Sequence, residues 1–208
     1  MFFTIEEEKL EEEIVEKKSK FIGTLFYITS EEQAQEIIKK VKKQYYDARH
    51  NCFAYRVMTE NGVVERFSDD GEPSGTAGGP MLNILSKNNL CNVLIIVTRY
   101  FGGILLGTGG LVRAYSDATT KVIESATLAN ETMGLEVEVV IDYNGLELLK
   151  YYCKNNNINI ANTVYEDNIK CYLEVTKEEL DNLLDNNKNN CSIIEYNVIE
   201  TKNIRKKC

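Results

Sequence analysis

The chain has 208 residues, an apolar share of 43% and a formal net charge of −8, which suits one large or two small folded domains. The acidic balance argues against a general polyanion binder, because such proteins usually carry a basic domain, so nucleic acid could be bound only locally. No apolar run approaches the ~20 residues of a membrane span, and no membrane partner is expected.

The N-terminus and the cysteines indicate the compartment. The opening residues, MFFTIEEEKLEEE, become acidic after three positions and do not form a secretory signal peptide. Six cysteines are spread singly without a CxxC pair, so neither a zinc ribbon nor a redox motif is expected. We therefore expect a cytoplasmic protein with free thiols.

The first part of the chain predicts mixed strands and helices. Residues 4–19 are rich in Glu and Lys, and their periodicity does not decide between strand and helix. Phe21–Ile28 is β-branched and aromatic and predicts a strand. Ser30, with Gln33 three positions later, predicts a capping box that opens an amphipathic helix with its lysines in solvent. Two short strands around Asn61-Gly62 predict a hairpin.

Two glycine-rich segments follow the hairpin, Ser68–Pro80 and Thr98–Tyr115. Between them, a helix is expected over Gly79–Leu90. The next segment, Asn92–Thr98, is apolar at successive positions and predicts a central strand. From Thr108 a long helix is expected to about residue 128.

The composition changes after residue 130, where glycine nearly vanishes and asparagine rises. The pattern becomes strand, helix, strand, strand, helix and strand, the ferredoxin-like βαββαβ order. Thr176 with Glu179 predicts a capping box, and the last strand is placed at Ser192–Thr201. The asparagine run Asn186–Asn190 is interpreted as a connector. We therefore expect an α+β protein with domains at residues 1–130 and 131–208.

The glycine-rich segments form the candidate site. Ten of the 13 glycines fall between Gly62 and Gly110, and glycine clusters where turns need positive φ or where something approaches the backbone closely. A strand, a glycine-rich turn and a helix N-terminus attract phosphate or carboxylate. The segment lacks both the Walker pattern and the G-x-G-x-x-G spacing. The candidate ligand-binding residues are Asp69, Asp70, Glu72, Ser74, Gly75, Thr76, Arg99, Tyr100, Gly102, Gly103, Gly107, Thr108, Gly109, Gly110 and Arg113.

Several alternatives stay open at this site. Arg99 and Arg113 either bind an anion or pair with the three carboxylates. Those carboxylates could hold a divalent cation, but their sequence is also that of a plain turn. Tyr100 and Phe101 either stack on bases or belong to the core.

Catalytic chemistry finds little support in the sequence. His50 is the only histidine, and Cys52 lies two residues away, so that the two share a face of a strand. A cysteine nucleophile normally meets its histidine from a distant part of the chain. We expect no catalytic residue, no metal ligand and no cofactor, and assign His50 a structural or binding role.

Four motifs carry a resemblance to a known family: FSDDGEPSGTAGGPML, VTRYFGGILLGTGGLVRAYSDA, KSKFIG and ARHNCFAY. With them the chain resembles the YigZ/IMPACT family, in its bacterial two-domain branch. The resemblance implies an N-terminal domain similar to the fourth domain of elongation factor G, followed by a ferredoxin-like domain. At Gly79 and Leu105 many members carry lysine, which implies a less basic cleft here.

Function is implied by the same resemblance. Eukaryotic relatives regulate translation in the starvation response by competing for an activator of a kinase. We therefore expect a non-enzymatic, translation-associated protein that contacts RNA, the ribosome or a translation-related protein through a glycine/arginine cleft. The alternative is an enzyme or binder of a small phosphorylated or anionic ligand. Some members are labelled proline dipeptidases, but a single histidine leaves no ligand set for that metallopeptidase chemistry.

Overall fold

A computed structural model of the protein describes residues 2–59, 61–185 and 193–208. The fold is mixed α+β, as the sequence predicts. It divides into two compact units, one running to Asn130 and including Cys208, the other comprising Glu131–Lys207. Among the described residues, no helix combines the length and the hydropathy that crossing a bilayer requires.

The first unit is built on a five-stranded antiparallel sheet. Its elements are β1 (Thr4–Ile5), β2 (Lys9–Glu16), β3 (Ser19–Tyr27), α1 (Glu31–Gln44), β4 (His50–Thr59), β5 (Gly62–Ser68), α2 (Gly78–Lys87), β6 (Val93–Tyr100) and α3 (Gly107–Glu124). The strand order is β2-β3-β6-β4-β5. The strand predicted to be central, β6, lies in the middle and is buried over all but its last residue.

Helices cover both faces of this sheet, which explains the apolar sequence of β6. Ile95 and Val97 point to the core formed with α2 and α3. Leu94 and Ile96 point to the opposite core, formed with α1. Because successive side chains of a strand alternate between faces, a strand buried on both faces must be apolar at successive positions.

Both glycine-rich segments lead from a strand into a helix. The first connects the end of β5 to α2, and the second connects the end of β6 to α3. The β4–β6 register sets His50 opposite Arg99. The two loops and the start of β4 thus meet at one end of the sheet.

In the first unit the structure settles one question that the sequence left open and differs from two of its expectations. The undecided N-terminal stretch forms strands β1 and β2. Helix α3 ends at Glu124 rather than near 128, because Leu128 pairs with Ile5 across a short β-ladder. At α1, Ser30 Oγ accepts a hydrogen bond from Gln33 N, but the Gln33 side chain accepts from Thr29 N at 2.7 Å instead of closing the capping box.

The second unit contains the predicted βαββαβ succession. Its elements are β7 (Leu128–Ile141), α4 (Gly145–Asn155), β8 (Asn159–Tyr165), β9 (Ile169–Val175), α5 (Lys177–Leu184) and β10 (Ile193–Lys207). β7 begins three residues before the unit boundary, and the sheet order is β10-β7-β9-β8. The capping box of Thr176 and Glu179 is confirmed. β10 ends six residues later than predicted, and the Asn186–Asn190 connector lies outside the described residues.

Candidate functional site

A cavity of about 350 Å³ lies where the two glycine-rich loops meet in the first unit. Its wall comes from the start of β4, from both loops and from the first turns of α3. The lining residues are Arg49, His50, Gly71, Glu72, Pro73, Arg99, Phe101, Leu105, Leu106, Gly107, Thr108 and Leu111.

A buried carboxylate, Glu72, organises the polar groups of this wall. Its Oε1 accepts hydrogen bonds from Arg99 Nη1 at 2.5 Å and from the Tyr115 hydroxyl at 2.9 Å. The side chains of Glu72 and Arg99 are only 3% and 6% exposed. A buried charge pair of this kind is tolerated because each charge has a close partner.

The orientation of His50 is set by the loop after β5. Its Nδ1 lies 2.8 Å from the carbonyl oxygen of Asp70. Because a carbonyl only accepts, Nδ1 carries the hydrogen in this contact, and Nε2 of the neutral ring is left as an acceptor. Nε2 lies 3.8 Å from the Glu72 carboxylate.

The guanidinium of Arg99 has one nitrogen that makes no hydrogen bond with the described residues. Its Cζ lies 5.4 Å from the ring centre of Phe21 and 5.6 Å from that of Phe101. Its Nε is buried and has no hydrogen-bond partner within the described chain. Arg49 lies 5.7 Å from the same Phe101 ring. Two arginines thus flank one aromatic side chain in the wall.

Cys52 and Tyr115 lie next to this network and stay protonated at neutral pH. Cys52 Sγ donates to the carbonyl of Asp69 at 3.0 Å and contacts the Tyr115 hydroxyl at 3.4 Å. Burial raises the pKa of Cys52 to about 12, and burial likewise raises the pKa of Tyr115. Since the thiolate is the nucleophilic form, Cys52 has the environment of an inert, structural thiol.

The N-terminus of α3 opens into the cavity without a cap. Leu106 at the N-cap position supplies no side-chain hydrogen bond, and the first turn contains no acidic residue. Gly107 and Thr108 lie in the cavity wall. The first N–H groups of a helix have no intrahelical partner and carry the positive end of its dipole. This end of α3 is therefore available to an anion.

Two glycines, Gly102 before α3 and Gly109 in its first turn, differ in whether the fold requires them. A Cβ added at Gly102 would lie 2.0 Å from the Lys18 carbonyl, so that position admits only glycine. A Cβ added at Gly109 would meet nothing within 4 Å, and the φ of Gly109 is not positive. Because glycine in a helix costs up to about 1 kcal/mol relative to alanine, Gly109 is locally unfavourable without any packing or conformational need.

Four of the candidate residues line the cavity: Glu72, Arg99, Gly107 and Thr108. Asp69 instead holds the loop before α2 by accepting from the backbone N–H groups of Gly75, Ala77 and Gly78. Asp70 accepts from Asn51 N at 2.7 Å and pairs with Lys42 at 2.6 Å. These two carboxylates support the site rather than line it.

The remaining candidates are not among the residues of the cavity wall: Ser74, Gly75, Thr76, Tyr100, Gly102, Gly103, Gly109, Gly110 and Arg113. Thr76 bonds to the Pro73 carbonyl, and Tyr100 donates to Asp47 at 2.9 Å. Arg113 is exposed and forms no ion pair with the described residues. Of the two arginines weighed for pairing with the carboxylates, only Arg99 makes that pair.

Sequence reasoning missed several cavity residues. Arg49 lies in the quoted motif ARHNCFAY but was not a candidate residue, and only the β4–β6 register brings its neighbour His50 to Arg99. Leu105 was connected with the cleft only through the family resemblance, and neither Leu105 nor Leu106 was a candidate residue. Phe101 was a candidate for stacking, and its place in the wall next to both arginines keeps that role open.

Comparison with known proteins places the chain in a family. The family profile described as Impact N-terminal domain matches residues 17–123, and the profile described as Domain of unknown function (DUF1949) matches residues 139–185. The chain belongs to the IMPACT family. The family motifs quoted from the sequence thus coincide with the loops of the cavity, and the second profile falls within the ferredoxin-like unit.

Individual relatives cover most of the chain. The IMPACT family member YvyE of Bacillus subtilis (strain 168) is 39% identical over 178 residues, which are 86% of this chain and 81% of the relative. The IMPACT family member YigZ of Escherichia coli (strain K12) is 39% identical over 147 residues, 69% of this chain and 72% of the relative. A crystal structure described as a hypothetical protein aligns over 96% of this chain and 97% of its own, with 28% identity and a TM-score of 0.60.

Proposed function

We propose that this protein is a non-enzymatic, translation-associated RNA-binding protein, and that its cavity receives a phosphate of the bound strand. The association with translation follows from the family resemblance of the motifs. The observation that carries the binding site is the uncapped N-terminus of α3, which opens into a cavity lined by Arg49 and Arg99. Helix N-termini and arginines are both preferred phosphate ligands.

The same wall offers a surface for a base. Phe101 is 39% exposed and is flanked by both arginines. Proteins that bind single-stranded RNA combine cationic groups along the backbone with aromatic rings on which bases stack. In a chain of net charge −8, these groups provide local rather than general affinity for a polyanion.

Gly109 and Arg113 extend the site along α3. Four residues apart on one helix, they lie on the same face, one turn above the other. Both are exposed. A ligand that approaches the backbone at Gly109 therefore passes next to the Arg113 guanidinium, and this close approach supplies the reason for a glycine that the fold does not require.

The proposal is tested by measuring binding of a single-stranded RNA oligonucleotide at several salt concentrations by fluorescence anisotropy. Arg49→Ala and Arg113→Ala remove exposed cations without opening the core. Each is expected to weaken binding several-fold and to reduce the salt slope by about 0.7, the loss of one phosphate contact on a single strand. Arg66→Ala is the matched control, because Arg66 is an exposed arginine on β5 outside the cavity wall. Equal affinities for all four proteins would refute this site.

A small anionic ligand is the second candidate, and the cavity volume favours it. About 350 Å³ falls in the range of pockets that hold small molecules. A nucleotide or phosphosugar that binds only the native state would raise the melting temperature. Such a rise, in a protein that does not bind the RNA oligonucleotide, would favour this function over the first.

A further inference from the structure

The turn between β2 and β3 has an unusual combination of conformation and charge. Glu16 pairs with Ser19 across the hairpin, so the loop consists only of Lys17 and Lys18. Both have positive φ, at 44° and 66°. Positive φ at both central residues defines the type I′ turn, for which Asn-Gly is the preferred sequence.

Lysine is a poor choice for this backbone. Apart from these two lysines, the non-glycine residues of positive φ in the described chain are Asp70, Asn89, Asn92 and Asn157. Asp and Asn tolerate the left-handed region better than other side chains, whereas lysine gains nothing there. Strained positions of this kind concentrate at functional sites.

The turn is held against the loop that forms the cavity wall. Gly102 approaches the Lys18 backbone so closely that no Cβ would fit, and Gly102 N donates to Ser19 Oγ at 3.2 Å. Phe101, the residue before Gly102, lines the cavity. The Lys-Lys turn and the aromatic side of the cavity therefore adjoin through one backbone contact.

The two ammonium groups of the turn have no ion-pair partner among the described residues. Both lysines are exposed, and neither forms an ion pair in the part of the chain that the structure describes. The next lysine, Lys20, pairs with Glu13 at 2.6 Å, which shows that a carboxylate partner is within reach of this hairpin. The charges at the turn therefore remain available to an external anion.

We propose that the Lys17-Lys18 turn is a second phosphate-binding site on the same RNA-binding surface. This inference rests on the proposed function and specifies its ligand. The bound strand runs from the N-terminus of α3, across Phe101, to the turn. The ligand is therefore an extended single strand of several nucleotides, because a single phosphate bound in the cavity would not contact the Lys17-Lys18 turn.

The decisive variant is the double substitution Lys17→Asn and Lys18→Gly. It installs the preferred I′ sequence, so the melting temperature is expected to rise by about 2–4 °C for each kilocalorie of strain removed. Affinity for the RNA oligonucleotide is expected to fall, with the salt slope reduced by about 1.4, the value for two lost phosphate contacts. Affinity for a mononucleotide is expected to stay unchanged.

Two control variants separate charge from conformation. Lys17→Arg with Lys18→Arg keeps both charges and should keep the RNA affinity. Lys39→Gln with Lys40→Gln removes the same charge from exposed positions on α1 and should leave the salt slope within about 0.3 of the wild type.

Each result bears on a different claim. If Arg49→Ala weakens RNA binding while Lys17→Asn/Lys18→Gly does not, the cavity stands and the second site is overturned. If the wild type binds no RNA, the proposed function fails and the second site fails with it. If the double variant binds less RNA but melts at a lower temperature, the turn is not strained and that part of the inference is wrong.

Discussion

Glu72 determines the geometry of the site at the scale of single residues. It is buried, it accepts hydrogen bonds from Arg99 and Tyr115, and it lies next to Nε2 of His50. Because a buried carboxylate requires close partners, these groups are held around it. Glu72 thereby fixes Arg99 in the cavity wall, while Arg99 Nε has no hydrogen-bond partner among the residues that the structure describes.

Cys52 predicts a specific loss of stability at alkaline pH. The ordinary pKa of the thiol is 9.0, and burial raises the pKa of Cys52 in the folded protein to about 12. The neutral thiol therefore favours the folded state fully below pH 9, and this contribution is lost as the pH rises from about 9 towards 12, because the unfolded chain ionises first. Between pH 7 and pH 10 the loss is on the order of 1 kcal/mol.

The comparison of wild type with Cys52→Ala measures this contribution. Urea unfolding at pH 7 and pH 10 should show the wild type losing on the order of 1 kcal/mol more than the variant, since alanine does not titrate. Alkaline effects of the cysteines and tyrosines that do not contact Cys52 cancel in the difference, whereas the pKa of Tyr115, which Cys52 helps to raise, changes in the variant. A free-energy gap between the two proteins that is the same at both pH values would contradict the assignment.

At the scale of elements, the segment from β6 into α3 combines two opposite uses of glycine. Gly102 lets the loop pack directly on the β2–β3 turn, so it serves the fold. Gly109 lies in the exposed first turn of α3, where no packing or dihedral angle requires it. The first glycine is explained by an internal contact, whereas no contact among the described residues explains the second.

Alanine at these two glycines should have opposite effects on stability. Gly102→Ala forces a Cβ into the Lys18 backbone and is expected to cost at least about 1–3 kcal/mol. Gly109→Ala is expected to stabilise the protein by up to about 1 kcal/mol, through helix propensity, while weakening RNA binding. Thermal unfolding and anisotropy on both variants provide the test. If Gly109→Ala binds RNA with wild-type affinity, the RNA does not approach the backbone closely at Gly109.

At the scale of the whole molecule, the two units have separate apolar cores. The first unit has one core on each face of its sheet. The second has a core of its own beneath the β10-β7-β9-β8 sheet. Each core is formed by residues of one unit and needs no residue of the other unit. We therefore propose that the two units are independent domains with the boundary near residue 130.

A fragment comprising residues 1–130 tests this division. It is expected to unfold in a single cooperative thermal transition and to retain the RNA affinity of the full chain, because all residues of the cavity and of the Lys17-Lys18 turn lie within it. Circular dichroism gives the first readout and anisotropy the second. A fragment that lacks a cooperative transition would show that the boundary is misplaced.

The sequence by itself determined the elements whose signals are local. Apolar residues at successive positions identified the central strand β6, Thr176 and Glu179 identified the start of α5, and the motif residues identified the family. These features depend on neighbours within a few positions, so they can be derived without knowing the fold. The glycine-rich loops were located for the same reason.

Only the tertiary structure decided what those loops do. In the fold, Arg99 forms an ion pair with Glu72. Asp69 and Asp70 accept backbone hydrogen bonds that hold the loop before α2 in place. Arg113 and the N-terminus of α3 are exposed. The fold also brings His50 opposite Arg99 and the Lys17-Lys18 turn against Gly102. Each of these contacts joins residues that are distant in sequence. Strand register and loop packing determine which distant residues meet, and no local sequence pattern encodes either of them.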